Sequence, residues 1–365
     1  MIDNLGFIIG IVIGGFFLTF ILTWILLPKI MKLMKKNGIV GKDIHKKGRP
    51  EIPEMGGVAI YISIIVASVI IIIITYIYWP TDVFVYQLIS FLVAIVIGGI
   101  IGIIDDLYRL SGKLKPLLLL LGGLPLLIIQ FFIYKICNPF PYFPLIGSFT
   151  IQIIYFIIIP VAYTVIANAM NMLDVVNGSM SGSATIMFMA LTITSIFFII
   201  FPLTNKPGTP LSTEQGLVGL ELSMIMLGAS VILYKYNKYP AKVFTGDVGS
   251  ITIGYGLASI AILSGQEFIV IICMLPFVIN AFQMLSSIGK IVEGRKIKYR
   301  PTRVLEDGTI AANTHHKAPI TLMRILLANR PKTEKEIAMD ILYLTAFSCL
   351  LGIISMILTI FVKIL

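Results

Sequence analysis

The chain has 365 residues, of which 58% are hydrophobic and only 13% charged. A soluble domain carries about a quarter charged residues, so this composition, with a mean hydropathy of +0.98, excludes an ordinary water-soluble fold. The formal net charge of +10 invites a nucleic-acid reading, but the basic residues cluster in connections on one side of a membrane and no nucleic-acid partner is expected.

Apolar runs of about 20 residues, enough to cross a hydrocarbon core of about 30 Å as helix, recur along the chain. The strand alternation of a barrel is absent. In chain order the predicted spans are 7–27, 57–78, 85–104, 116–135, 150–167, 182–201, 216–234, 249–263, 268–288 and 341–362. The first, Phe7 to Leu27, has neither the basic leading region nor the small-residue cleavage pattern of a signal peptide, and reads as a span. The fold class expected is an all-α polytopic membrane protein of about ten transmembrane helices with cytosolic catalytic loops. It is read as a single transmembrane domain, 1–365, without internal repeats.

The connections alternate between two sides. One side takes 28–56, 105–115, 168–181, 235–248 and 289–340; the other takes 79–84, 136–149, 202–215, 264–267 and both termini. Of the 28 Lys and Arg residues, only Lys135, Lys206 and Lys363 fall on the second side. The positive-inside rule therefore predicts a multi-pass protein of the cell membrane, with the first side cytosolic and both termini outside. In the cytosolic loop 289–340, Glu306-Asp307-Gly308 separates Pro301–Leu305 from Thr309–Ala312 and predicts a hairpin. Ile320 to Leu327 follows as a short interfacial helix. Cys137, Cys273 and Cys349 are odd in number and far apart, and give neither a disulfide framework nor a zinc spacing.

Four aspartates converge on the cytosolic side. Asp105 and Asp106 end the third span, Asp174 follows the fifth, and Asp247 opens the eighth. Carboxylates gathered this way repel one another unless a cation intervenes. Hard oxygen donors without Cys and with little His favour Mg2+, with Mn2+ as the alternative. Such an ion would also bind phosphate oxygens, with nearby Lys and Arg cradling the rest of a diphosphate. A transporter or lipid flippase is the competing reading, but transporters keep such groups near the midplane. No predicted span carries a charge near its middle apart from Glu221, which lies near the outer end of its helix and receives no role.

The local sequences are Gly102-Ile103-Ile104-Asp105-Asp106-Leu107 with Lys115 beyond it, Asn168-Ala169-Met170-Asn171-Met172-Leu173-Asp174-Val175-Val176-Asn177-Gly178, and Val243-Phe244-Thr245-Gly246-Asp247-Val248-Gly249-Ser250. The first cytosolic loop carries Gly41-Lys42-Asp43 and Gly48-Arg49-Pro50-Glu51-Ile52-Pro53-Glu54-Met55-Gly56-Gly57. On these motifs the chain resembles the polyprenyl-phosphate N-acetylhexosamine-1-phosphate transferases, over essentially its whole length. That family includes bacterial phospho-N-acetylmuramoyl-pentapeptide transferase and eukaryotic dolichyl-phosphate GlcNAc-1-phosphate transferase. A CDP-alcohol phosphotransferase would instead carry one contiguous aspartate motif, which is absent.

The resemblance implies transfer of N-acetylhexosamine 1-phosphate, with GlcNAc favoured, from a UDP-sugar to a polyprenyl or dolichyl phosphate, with release of UMP. It implies that Asp247, Asn171 and Asp174 serve the metal. Among the catalytic residues, Asp105 would handle the lipid phosphate, Asp106 would organise the site or the nucleotide, and Lys115 would contact phosphate. Lys42, Glu54, Asn168, Asn177, Gly246, Arg300, Arg303, His315 and His316 would bind substrate. It further implies a homodimer as a possible assembly. Asp174 and Thr314-His315-His316-Lys317 follow the bacterial pattern, whereas Ile52-Pro53-Glu54 and the Arg300/Arg303 pair follow the eukaryotic one. An archaeal member would combine them in this way.

Other residues have plainer readings. His45 reads as a solvated loop residue, and Gly98, Gly99 and Gly102 as sites of close helix packing. Gly178 reads as a turn, while Gly246 permits a close approach either of a neighbouring segment or of a phosphate. Pro276 predicts a kink in the ninth span, which would open a groove for a lipid chain.

Overall fold

The computed structural model describes residues 5–46, 48–78, 82–133, 142–143, 147–148, 152–202, 213–289 and 297–364. The chain begins with α1 (Leu5–Lys36), a hairpin of β1 (Val40–Lys42) and β2 (Glu51–Pro53), α2 (Gly57–Tyr78) and α3 (Asp82–Tyr108). Next come α4 (Leu114–Leu119), a 3-10 turn (Leu120–Gly123) and α5 (Leu124–Ile133), then the small pair β3 (Tyr142–Phe143) and β4 (Gly147–Ser148). The centre of the bundle is built by α6 (Gln152–Met172), α7 (Ser179–Ile200), α8 (Thr213–Asn237) and α9 (Gly246–Leu263). The remainder comprises α10 (Glu267–Cys273), α11 (Leu275–Ile288), β5 (Thr302–Val304), β6 (Ile310–Ala312), α12 (Leu322–Leu326) and α13 (Glu334–Ile364).

Seven of these helices are long and apolar enough to cross a membrane: α1, α2, α3, α7, α8, α9 and α13. The α10–α11 pair adds an eighth span if the two count as one, and two shorter apolar helices cover 114–130 and 156–172. Outward faces are apolar, as a lipid solvent requires. Along α1, Ile9, Ile13, Phe17 and Ile21 form an exposed row at four-residue spacing, and Phe347, Leu350, Ile354 and Leu358 form a similar row on α13.

Helix α9 forms the core. Every residue from Val248 to Leu263 is buried. Glycines let its neighbours approach closely: a Cβ at Gly57 of α2 would run into the Gly249 backbone, and one at Gly102 of α3 into the Val248 backbone. Gly98 faces Tyr255 and Gly99 faces Tyr61, so all three glycines of the third span are packing positions, as read from the sequence. Tyr255 fills the break between α4 and α5. Its hydroxyl donates to the Leu119 carbonyl at 2.8 Å, and its ring meets Tyr163 edge-on at 5.1 Å.

Several boundaries differ from those predicted, most of all at the basic side. The helices run past the apolar runs at the basic side: α1 reaches Lys36, α3 includes Asp105 and Asp106, and α6 includes Asn168 and Asn171. Hydropathy marks the edge of the hydrocarbon, whereas backbone hydrogen bonding carries a helix on into the polar layer. The kink at the ninth span is present as a 70° bend between α10 and α11, with Pro276 in the first turn of α11. The hairpin in the last loop is also present: β5 pairs with β6 antiparallel, and Gly308 turns between them at φ +86°. Thr333 and Glu336 start α13 with a reciprocal capping box, the Thr333 N–H reaching Glu336 Oε2 at 2.7 Å. Cys273 and Cys349 are buried free thiols; Cys137 lies outside the described residues.

Candidate active site

Four helix ends meet through one lysine. Lys115, at the start of α4, extends its ammonium to 2.6 Å from Asp105 Oδ2 on α3 and 3.0 Å from Asp247 Oδ1 on α9. It also donates to Asn171 Oδ1 on α6 at 3.1 Å. The Asn171 amide nitrogen donates to Asp247 Oδ1 and to Ser250 Oγ, the latter at 2.9 Å. Only 13% of the Lys115 side chain and 6% of Asp105 is exposed, against 20% of Asp247, so Asp247 is the more open carboxylate.

Asp106 has a different task from its neighbour. Its Oδ1 accepts the Asp247 backbone N–H at 2.7 Å and its Oδ2 the Val248 N–H at 3.0 Å. These are N–H groups of the first turn of α9, which have no partner within the helix. Asp106 thus caps α9 from a neighbouring helix and complements its positive end. Gly246 permits this approach: its φ is +75°, and a Cβ there would lie 2.7 Å from Asp106 Oδ2. The close neighbour at Gly246 is therefore a carboxylate of the protein.

Asp174 follows α6 and is half-buried. Burial, reinforced by the charges of Asp247 and Asp106, pushes its pKa up to about 7. Asn168 lies one turn before Asn171, with its amide donating back to the Thr164 carbonyl at 2.9 Å. The first loop reaches the site through its backbone. Gly56 N–H donates to Phe244 O at 2.9 Å, and Gly57 N–H to Thr245 O at 2.8 Å, immediately before Asp247. Glu54 packs over Gly41, whereas Lys42 is exposed at the end of β1.

Other predicted residues bond to partners outside the Lys115 group. Asn177 donates to Asp43 Oδ2 at 3.0 Å, and its backbone N–H to Glu334 Oε1 at 2.9 Å. His45 belongs to the same group, with Nδ1 at 3.9 Å from Glu334 Oε1 and 12% side-chain exposure. This corrects the expectation of a solvated histidine: folding the loop onto the start of α13 encloses it. Burial lowers the His45 pKa, the Asp43 charge opposes that shift, and the charge of Arg300 adds to it. Burial works against the Asp43 carboxylate, but Lys46 and Asn177 outweigh it and hold its pKa below the usual value.

Arg300 and Arg303 are exposed on the last loop. His315 is stacked between Tyr299, at 3.7 Å between ring centroids, and His316, at 4.7 Å. None of these side chains hydrogen-bonds or ion-pairs with the aspartate group among the described residues. Sequence reasoning missed Asn280 of α11. It accepts the Leu322 N–H of α12 at 2.9 Å and donates to the Met172 carbonyl at 3.4 Å, tying the last loop to the residue beside Asn171. A lone Asn in an apolar run was the available signal.

Two comparisons with known proteins bear on this geometry. The model of glycosyl transferase family 4 matches residues 88–265, the stretch that contains Asp105, Lys115, Asn171 and Asp247. A Saccharolobus solfataricus protein, provisionally named UDP-N-acetylglucosamine–dolichyl-phosphate N-acetylglucosaminephosphotransferase, is 30% identical over 265 residues, covering 72% of this chain and 74% of that protein. The chain belongs to glycosyl transferase family 4. Its relatives in this family extend across two domains of life. A Sulfolobus acidocaldarius protein with the same provisional name is 29% identical over 77% of this chain and 78% of its own length. A Clostridium botulinum phospho-N-acetylmuramoyl-pentapeptide-transferase is 27% identical over 85% of this chain and 87% of its own. A family 4 reading favours transfer chemistry over transport, and the Lys115-centred group gives that chemistry a location.

Proposed function

We propose that this protein transfers N-acetylglucosamine 1-phosphate from UDP-N-acetylglucosamine to a polyprenyl phosphate of the dolichyl type, releasing UMP. The observation that carries the proposal is the Lys115 ammonium held among Asp105, Asp247 and Asn171, which come from the ends of three further helices. Oxygen donors and a cation at one polar helix end are what a diphosphate reaction demands. The acceptor phosphate oxygen attacks the phosphorus that carries the sugar, the bond from that phosphorus to the UMP oxygen breaks, and a new diphosphate links lipid and sugar. Little covalent work falls to the protein, which positions reactants and neutralises charge.

The donor set fits Mg2+. This ion takes one or two carboxylates and fills its remaining positions with substrate phosphates and water. Asp247 and the Asn171 carbonyl, with Asp174 beside them, are the residues that would hold it. When bound, the ion neutralises charge on the diphosphate. Lys115 would contact a phosphate oxygen while neutralising the charges of Asp105 and Asp247, and Asp105 orients Lys115 from the buried side. Asp106 fixes the first turn of α9, and with it the backbone of Asp247. Arg300, Arg303, His315 and His316 on the last loop, with Lys42, Glu54 and Asn168, are assigned to the substrates.

The ten apolar segments are read as ten spans, with the broken helix 114–133 and the bent α10–α11 pair each crossing once. The basic loops, and hence the site, face the cytosol, and the 70° bend opens a groove for the lipid chain. Homodimers are a further part of this reading. The test is direct: purified protein with Mg2+, a polyprenyl phosphate and a panel of UDP-sugars. UMP and a lipid-diphosphate sugar should form with UDP-N-acetylglucosamine; substrate movement across vesicles without UMP release would favour a transporter.

A further inference from the structure

A second polar cluster shares no side chain with the Lys115 group. Asp43 and His45 come from the turn between β1 and β2, and Glu334 from the first turn of α13. The ligand atoms of these three side chains lie within 4.8 Å of one another, the one such triad of His, Cys, Asp or Glu among the described residues. Asp43 is 3% and Glu334 4% exposed. Lys46 pairs with Asp43 Oδ2 at 2.6 Å, so one ammonium faces two carboxylates. Glu334 Oε1 accepts the Asn177 N–H, but Glu334 Oε2 is buried with no hydrogen-bond partner. A buried carboxylate oxygen without a donor is costly, and a cation is its natural complement.

We propose that Asp43, His45 and Glu334 form a second divalent-metal site, which takes a transition ion such as Zn2+ in preference to Mg2+. An imidazole nitrogen with two carboxylates is a donor set for Zn2+ or its first-row neighbours, whereas Mg2+ seeks oxygen alone. The ion would join two segments, the first loop and the start of α13, to both of which the turn at Asn177 is hydrogen-bonded. The first loop is also the one whose Gly56 and Gly57 hydrogen-bond to the strand of chain leading into Asp247. Its metal would therefore brace the catalytic end of α9 without touching substrate.

The test uses the full-length protein, stripped with a chelator, returned to excess Mg2+ to satisfy the oxygen-donor site, and titrated with Zn2+. Wild type should retain one equivalent of Zn2+ against Mg2+ and melt at a higher temperature with it. Co2+ in its place should give visible absorption bands. His45→Ala and Glu334→Gln should each bind Zn2+ more weakly by at least roughly 10- to 100-fold, since the loss of a mere outer partner of a metal ligand already costs that much. Failure of wild type to take up Zn2+ against Mg2+ overturns the proposal before any variant is made. Unchanged Zn2+ binding in both variants overturns it as well. Neither readout depends on transferase activity, so loss of this site and loss of the catalytic reading are distinguishable.

Discussion

Asp106 accepts the backbone N–H of Asp247 at 2.7 Å, across 141 residues of sequence. This bond separates the roles of the two adjacent aspartates that end α3. Asp105 faces Lys115, while Asp106 holds the first turn of α9 through two N–H groups. Replacing Asp106 with Ala should cost about 1–2 kcal/mol of stability, as for other lost helix caps, and lower the melting temperature. Asp105→Ala removes no cap of α9, so its effect on activity should exceed its effect on melting.

Lys115 compensates two carboxylates that would otherwise repel each other. Lys115→Met should reduce transfer by roughly 100-fold or more, the scale of losing one preorganised charged donor. The loss should appear in turnover, measured as UMP release, with the protein still monodisperse in detergent.

Asn171 and Asp247 carry the proposed Mg2+ contact. Chelation should abolish transfer, and Mg2+ should restore it in wild type. Asp247→Ala and Asn171→Ala should remain folded and fail to respond. A wild-type rate in either purified variant would sink the assignment.

Asp174 links stability to pH. Its folded pKa is raised to about 7, so the folded state favours the protonated acid more than the unfolded chain does. Its contribution is fully present below the unfolded pKa near 4 and is lost as pH rises through about 7. Without divalent metal, the melting temperature of wild type should fall over that window relative to Asp174→Asn. A parallel pH dependence in the two proteins would show that the effect does not originate at Asp174.

Gly57 and Gly249 bring α2 and α9 into backbone contact beside the site. Gly57→Ala should destabilise by about 1–3 kcal/mol through overpacking, with a drop in melting temperature. Gly14, which meets nothing within 4 Å, should accept the same change silently.

The membrane class, the apolar segments, the polar ends that carry the aspartates and the hairpin at Asp307-Gly308 were all legible in the sequence. Each depends on composition or on local spacing, which hydrocarbon thickness and turn geometry constrain directly. Partners were not legible. Nothing in the motifs distinguishes Asp105, which pairs with Lys115, from Asp106, which caps α9. Nor do they place Asn177 and His45 with Glu334, outside the Lys115 group. Those outcomes follow from how closely α2, α3 and α6 pack on α9, and from which loop folds over α13. A hydrogen bond between distant residues is decided by helix packing to within an ångström, whereas a one-dimensional pattern records only which face and depth each residue can reach.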